Sequence, residues 1–79
     1  MEKEELLLNI DKIHTTKMGI ERIKRNLGVT NPLSYCKKMI MNKESIVSRK
    51  GKNYYCIIDN IIITVNASSY TIITAHKDN

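Results

Sequence analysis

Arg49, Lys50 and Lys52 bracket Gly51, and Asn53-Tyr54-Tyr55 follows at once. Cations at a tight turn can hold phosphate oxygens, and a neighbouring tyrosine can stack on a base. The same residue types also make an ordinary solvated hairpin with one tyrosine in the core. A second basic group, Arg22, Lys24 and Arg25, with Lys17 ahead of it, falls on one helical stretch. It suits a phosphate backbone or plain solvent. The two histidines are His14 and His76. A metal-independent ribonuclease needs a base for the 2′-hydroxyl and a donor for the leaving oxygen, roles that His, Tyr, Lys and Arg can share. His76, Thr74, Tyr55, Lys52 and Arg22 are the set that would serve. The bland alternative puts His14 in a cap or turn and His76 in a frayed tail. No pair among Cys36, Cys56, His14 and His76 has ligand spacing, so neither a metal nor a cofactor is expected. There is no glycine-rich phosphate loop and no local signature of a nucleophile triad. A helix-turn-helix fits poorly, because the connection Gly28-Val29-Thr30-Asn31-Pro32 is long for that turn.

Composition limits what can carry these groups. The chain has 79 residues, no Trp, no Phe and four Tyr, so Ile, Leu, Val and Met must build a modest core within one domain spanning 1–79. The formal charge is +5, and every Lys and Arg except Lys77 lies at or before Lys52. Such a surface speeds encounter with polyanions, although a solvated surface is equally compatible with it. Two distant cysteines do not make a disulfide framework. They are expected as reduced thiols in a cytoplasmic protein, with Cys56 buried. Leu6-Leu7-Leu8 is too short for a signal peptide, and no segment approaches a membrane span.

Hydrophobic periodicity supplies the elements. Residues 2–12 form a helix with Leu6, Leu7, Ile10 and Ile13 at helical spacing, and Glu2, Glu4 and Glu5 favour its N-terminus. Thr15 or Thr16 caps a second helix with apolar positions Met18, Ile20, Ile23 and Leu27, ended by Gly28 in a left-handed cap. Gly19 inside it marks a close approach. Asn31 caps a third helix with Pro32 at its first position and Leu33, Cys36, Met39 and Ile40 on its buried stripe. Asn42 ends it. The period then changes to two. Strands are expected at 45–49, 53–58, 61–66 and 69–75, with turns at Lys50-Gly51 and Asp59-Asn60 and a loop starting at Ala67-Ser68.

A two-residue loop at Asp59-Asn60 pairs Ile58 with Ile61, Cys56 with Ile63 and Tyr54 with Val65 on one face. That face should take the helices. The other carries Asn53, Tyr55, Ile57, Ile62, Thr64 and Asn66. On the last strand, a two-residue loop sends Tyr70, Ile72 and Thr74 to the core and Thr71, Ile73 and Ala75 outward; a three-residue loop reverses this. The fold class is therefore α+β: two or three N-terminal helices (about 2–42) packed on a four-stranded antiparallel meander (about 45–75).

Several runs together resemble a known family. They are Ile13-His14-Thr15-Thr16, Gly19-Ile20-Glu21-Arg22-Ile23, Asn26-Leu27-Gly28, Arg49-Lys50-Gly51-Lys52-Asn53-Tyr54-Tyr55, Ile63-Thr64-Val65-Asn66 and Ser69-Tyr70-Thr71-Ile72-Ile73-Thr74-Ala75-His76. They resemble the small bacterial proteins of domain-of-unknown-function family 3781 over nearly the whole chain. That likeness implies no activity. In order and spacing (helices leading into a four-stranded meander, an early His and Arg, a Lys before the second strand and a Thr near the end), the chain is also similar to compact ribonuclease toxins of the RelE, barnase and colicin type, although it has no clear acidic base on the sheet and lacks a dense cluster of catalytic His, Arg and Lys.

Three functional expectations follow. The first is a small, basic, non-catalytic interaction protein that engages RNA or a ribonucleoprotein. Arg22, Lys24, Arg25, Arg49, Lys50 and Lys52 would contact phosphate, and Tyr55 would stack. The second is a metal-independent ribonuclease of toxin type. The third is a mobile-element or phage-type inhibitor of a host defence (CRISPR-like) complex, suggested by a composition rich in Ile, Lys and Asn. It would use Tyr55, Ile57, Ile62 and Ile73 on the mixed sheet face as a protein or homodimer contact.

Overall fold

The computed structural model describes residues 2–78. Helices α1 (Glu2–Leu8), α2 (Lys17–Leu27) and α3 (Pro32–Met41) precede strands β1 (Ile46–Lys50), β2 (Asn53–Ile58), β3 (Ile61–Asn66) and β4 (Ile72–Lys77). The strands form one antiparallel sheet in the order β1-β2-β3-β4. The helices cover one face of it: α1 lies against β1, α3 against β2 and α2 against β4. The architecture is α+β, with the helices N-terminal to the strands, as the periodicity predicts.

The first helix ends earlier than the spacing predicts. It stops at Leu8, and a single 3-10 turn covers Ile10–Lys12. The side chain of Asn9 donates to the Glu5 carbonyl at 2.8 Å, and the Asn9 N–H bonds instead to Leu6, at 3.1 Å. An asparagine that takes the carbonyl four residues back competes with continuation of the helix. Leu6 and Ile13 reach the core from either side of this break.

Helix α2 begins at Thr16, whose hydroxyl accepts from the Gly19 N–H at 3.0 Å, and ends at Gly28 with φ 66°. Ile23 and Leu27 are buried. Met18, expected on that stripe, is 73% exposed. It lies five residues before Ile23, about 140° round the helix. Helix α3 is capped by Asn31 and stops at Asn42 as expected. Beyond it, the buried Ser45 hydroxyl lies 2.9 Å from both the Ile40 and Asn42 carbonyls, and Lys3 Nζ donates to the Asn42 and Ser45 carbonyls at 2.8 Å each.

The central pair has the predicted register: Tyr54 opposite Val65, Cys56 opposite Ile63, Ile58 opposite Ile61. All six are buried. Asp59 takes φ 55° in the turn between them, a conformation that Asp tolerates. The first hairpin is displaced by one residue. Its strand runs Ile46–Lys50, not 45–49, and its loop is Gly51-Lys52, because Gly51 supplies the left-handed residue at φ 62° and Lys50 pairs with Asn53.

The last strand departs most. It runs Ile72–Lys77, not 69–75, and the register shifts between Thr64 and Val65. Val65 faces Ile72, and Thr64 faces Thr74, so Ile73 is the extra residue of a bulge. Ile72 and Ala75 both enter the core, whereas Ile73 is 44% exposed and Thr74 joins the outer face. Neither simple loop length gives that combination. Tyr70 and Thr71 belong to the connection. His76 lies within β4 opposite Ile62, which corrects the frayed-tail alternative. The start of β4 is tied to the chain before α2. The Ile72 N–H donates to the His14 carbonyl at 2.7 Å, and the His14 N–H donates to that of Tyr70 at 3.1 Å. His14 Nε2 lies 3.1 Å from Thr71 Oγ1.

Two measurements test this packing. Gly to Ala in a helix interior normally stabilises by about 1 kcal/mol. A Cβ at Gly19 would collide with Thr15 Oγ1, however, and that hydroxyl sits 3.4 Å from the Ile72 carbonyl. Gly19→Ala should therefore lower the urea midpoint, and the same change in a Thr15→Ala background should raise it. The second concerns the buried thiols. Burial pushes Cys36 from 9.0 up to about 12, with the charge of Cys56 a smaller cause, and it also raises Cys56. The unfolded chain releases these protons first. Stability is thus fully present below about pH 8.5 and is lost as pH rises toward about 12. Cys36→Ala should flatten the fall in unfolding free energy with pH between those limits in urea titrations.

Candidate binding surface on the open sheet face

Because all three helices occupy one side, the other face of the sheet is open. The register arranges it in rows across the strands. One row is Ile46, Ile57, Ile62 and His76; the next is Ser48, Tyr55, Thr64 and Thr74; Lys50, Asn53 and Asn66 form the third. None of these residues carries a carboxylate. Ile46 is 69% exposed and Ile57 43%, so the apolar row is in water. Ser48, Lys50, Gly51, Tyr55, Ile57 and Ile62 line a groove of ≈ 560 Å³ on this face. In the register, the Tyr55 row lies between the row of Lys50 and the apolar row. The Tyr55 hydroxyl accepts from Asn53 Nδ2 at 3.4 Å.

Arg49 lies elsewhere. It is opposite Tyr54 and therefore on the helix-bearing side of β1. Its guanidinium carbon sits 5.4 Å from the centroid of the Tyr54 ring, and its Nε donates to the Gly51 carbonyl at 3.1 Å. Tyr54 in turn donates to Glu5 Oε1 at 3.2 Å. Burial first, and then the bond to Glu5 and its charge, push the Tyr54 phenol above its usual value. Arg49 thus rests on a ring that is itself fastened to α1. Arg49, Gly51, Lys52, Asn66, Ala67 and Ser68 line a second cavity of ≈ 360 Å³, between the hairpin tip and the β3–β4 connection. The Ala67 N–H donates to the Lys52 carbonyl at 2.8 Å and joins the two loops.

The expected site residues therefore divide. Lys50 and Tyr55 share the groove with Ile57 and Ile62. Thr74 and His76 lie on the same face, on β4, and Ile73 is exposed in the bulge beside them. Arg49 and Lys52 meet in the loop cavity. Arg22, Lys24 and Arg25 are on α2, beyond the helix layer, where Lys17, Met18, Glu21, Arg22 and Arg25 line a groove of ≈ 390 Å³. Of the residues weighed for ribonuclease chemistry, Tyr55, Thr74 and His76 share the outer face. Lys52 is at its end, and Arg22 is on the far side of the molecule. Tyr55 and Thr74 are two strands apart, about 10 Å, and His76 Nδ1 lies 3.3 Å from the Lys77 carbonyl.

Ser68 is a cavity residue that the sequence reading did not single out. The signal was Asn66, whose Oδ1 accepts from the N–H groups of Ser68 and Ser69 at 2.9 Å each, the asparagine-nucleated turn that places Ser68 there. Among the described residues, no group of three His, Cys, Asp or Glu side chains is placed to hold a metal ion, and no helix is long and apolar enough to cross a membrane.

A single helical layer on a four-stranded meander, with the opposite face and its grooves open, defines the class of molecule: a small α+β domain with a free sheet surface. A family model described as "Protein of unknown function (DUF3781)" matches residues 7–76, and the chain belongs to that family. No curated protein and no solved structure matches it. No match supports the likeness to ribonuclease toxins.

Proposed function

We propose that the protein is a non-catalytic binder of single-stranded RNA, and that the RNA lies in the groove on the outer sheet face. The observation that carries this reading is the placing of Lys50 and Tyr55 in one groove with an apolar floor of Ile57 and Ile62. A base stacks on the tyrosine ring and covers the isoleucines, and the phosphate next to it meets the ammonium. Base stacking on an aromatic ring contributes about 1–3 kcal/mol. The hydroxyls of Ser48 and Thr74 lie in the Tyr55 row, whose Thr64 is buried, and give a ribose 2′-hydroxyl partners, the feature that separates RNA from DNA. A face without carboxylates on a chain of net charge +5 complements a polyanion. Arg22, Lys24 and Arg25, beyond the helix layer, do not belong to this groove. In this reading they act at longer range, by raising the encounter rate.

Fluorescence anisotropy with a short labelled single-stranded RNA tests the reading. Affinity should fall steeply with salt, with a slope of about −0.7 per phosphate contact, and Lys50→Gln should remove about one such increment. Tyr55→Ala should weaken binding by about 1–3 kcal/mol. Salt-insensitive or absent binding overturns the proposal. So does a protein partner that survives nuclease treatment and is lost in Ile57→Asp, since the face would then serve a protein.

A further inference from the structure

We infer that the loop cavity next to the groove is a site for a terminal phosphate, the phosphomonoester at the end of an RNA strand. The inference rests on the RNA reading for its ligand, but the cavity has its own geometry. Gly51 lines both spaces, so the groove and the cavity adjoin at the hairpin tip.

Arg49 is set in place before any ligand arrives. Its Nε–H is held by the Gly51 carbonyl, and its guanidinium carbon lies 5.4 Å from the centroid of the Tyr54 ring. A guanidinium has five N–H donors. Among the described residues, the four on the terminal nitrogens of Arg49 have no hydrogen-bond partner. Those donors form the fork that meets two oxygens of a phosphate at once. Lys52 adds a point charge from the same hairpin, and Ser68 adds a hydroxyl from the facing β3–β4 connection. A phosphodiester inside a strand carries one negative charge, whereas a terminal phosphomonoester carries nearly two at neutral pH and three oxygens free to accept. Two cations and a hydroxyl around one cavity match the terminal group better than the internal one. The ≈ 360 Å³ available also leaves room for part of the nucleoside that bears it.

The test compares RNAs of one sequence bearing a 5′-phosphate, a 3′-phosphate or no terminal phosphate, together with inorganic phosphate followed by amide chemical shifts. One phosphorylated RNA should bind about tenfold more tightly than the unphosphorylated strand. In Arg49→Gln and in Lys52→Gln that ratio should fall toward one. Both side chains are exposed, and an unchanged amide spectrum confirms folding. Inorganic phosphate should shift the Gly51, Ala67 and Ser68 amides saturably in the wild type and not in Arg49→Gln. If no RNA binds but these shifts saturate, the cavity stands as a phosphate site and the groove reading fails. If RNA binds and the three strands differ by less than about twofold, or the ratio survives both substitutions, the cavity inference is overturned. A flat phosphate titration overturns it as well.

Discussion

The register of the β2–β3 pair governs both surfaces of this protein. The two-residue connection at Asp59-Asn60 puts Ile58 opposite Ile61, and every later pairing in these strands follows from it. Side chains alternate with a period of two, so a slip of one residue on β3 would carry Ile63 and Val65 into water and draw Ile62 and Thr64 under the helices. The helices then only confirm a choice already made. Leu6, Ile23, Leu27, Cys36 and Ile40 pack on the side that the turn assigned to them. With three short helices on that side, the far side is left open with its isoleucines and its tyrosine in water.

What the sequence makes legible is what local chemistry decides. Thr16, Gly28, Asn31, Pro32 and Asp59 each bond to, or adopt a backbone angle for, residues within a few positions, and each acts as its type predicts. The departures come from competition that pattern alone does not resolve. Asn9 reads as one polar residue on a helix, but its amide takes the carbonyl that the next turn needs. Met18 looks like a stripe residue until the stripe is fixed by Ile23 and Leu27. On β4, Ile72 and Ile73 are adjacent and equally apolar, so alternation is silent about which one turns inward. The answer comes from the bulge, and the bulge is set by pairing with β3 and by the bond from Ile72 to His14.

The candidate site shows the same division. Arg49, Lys50 and Lys52 are near neighbours in sequence and look like one cluster, yet strand alternation sends Arg49 and Lys50 to opposite faces. Lys50 joins Tyr55 on the open face. Arg49 joins Tyr54, and through it Glu5, on the helical side. Fold-level features thus follow from residue type and spacing, whereas grouping of surface cations follows from the parity of a strand. The basic residues of α2 belong to a third surface. Net charge alone does not tell these three apart.

The bridge between His14 and Thr71 joins positions 57 residues apart, and α2, which follows the first directly, packs against the strand that follows the second. During synthesis, α2 is therefore made before the strand it rests on. Its apolar stripe has no permanent cover until β4 is made, and contacts closed over so long a loop form slowly. The four cations on that helix, Lys17, Arg22, Lys24 and Arg25, are exposed in the folded chain and give the same segment a charged face beside its apolar stripe.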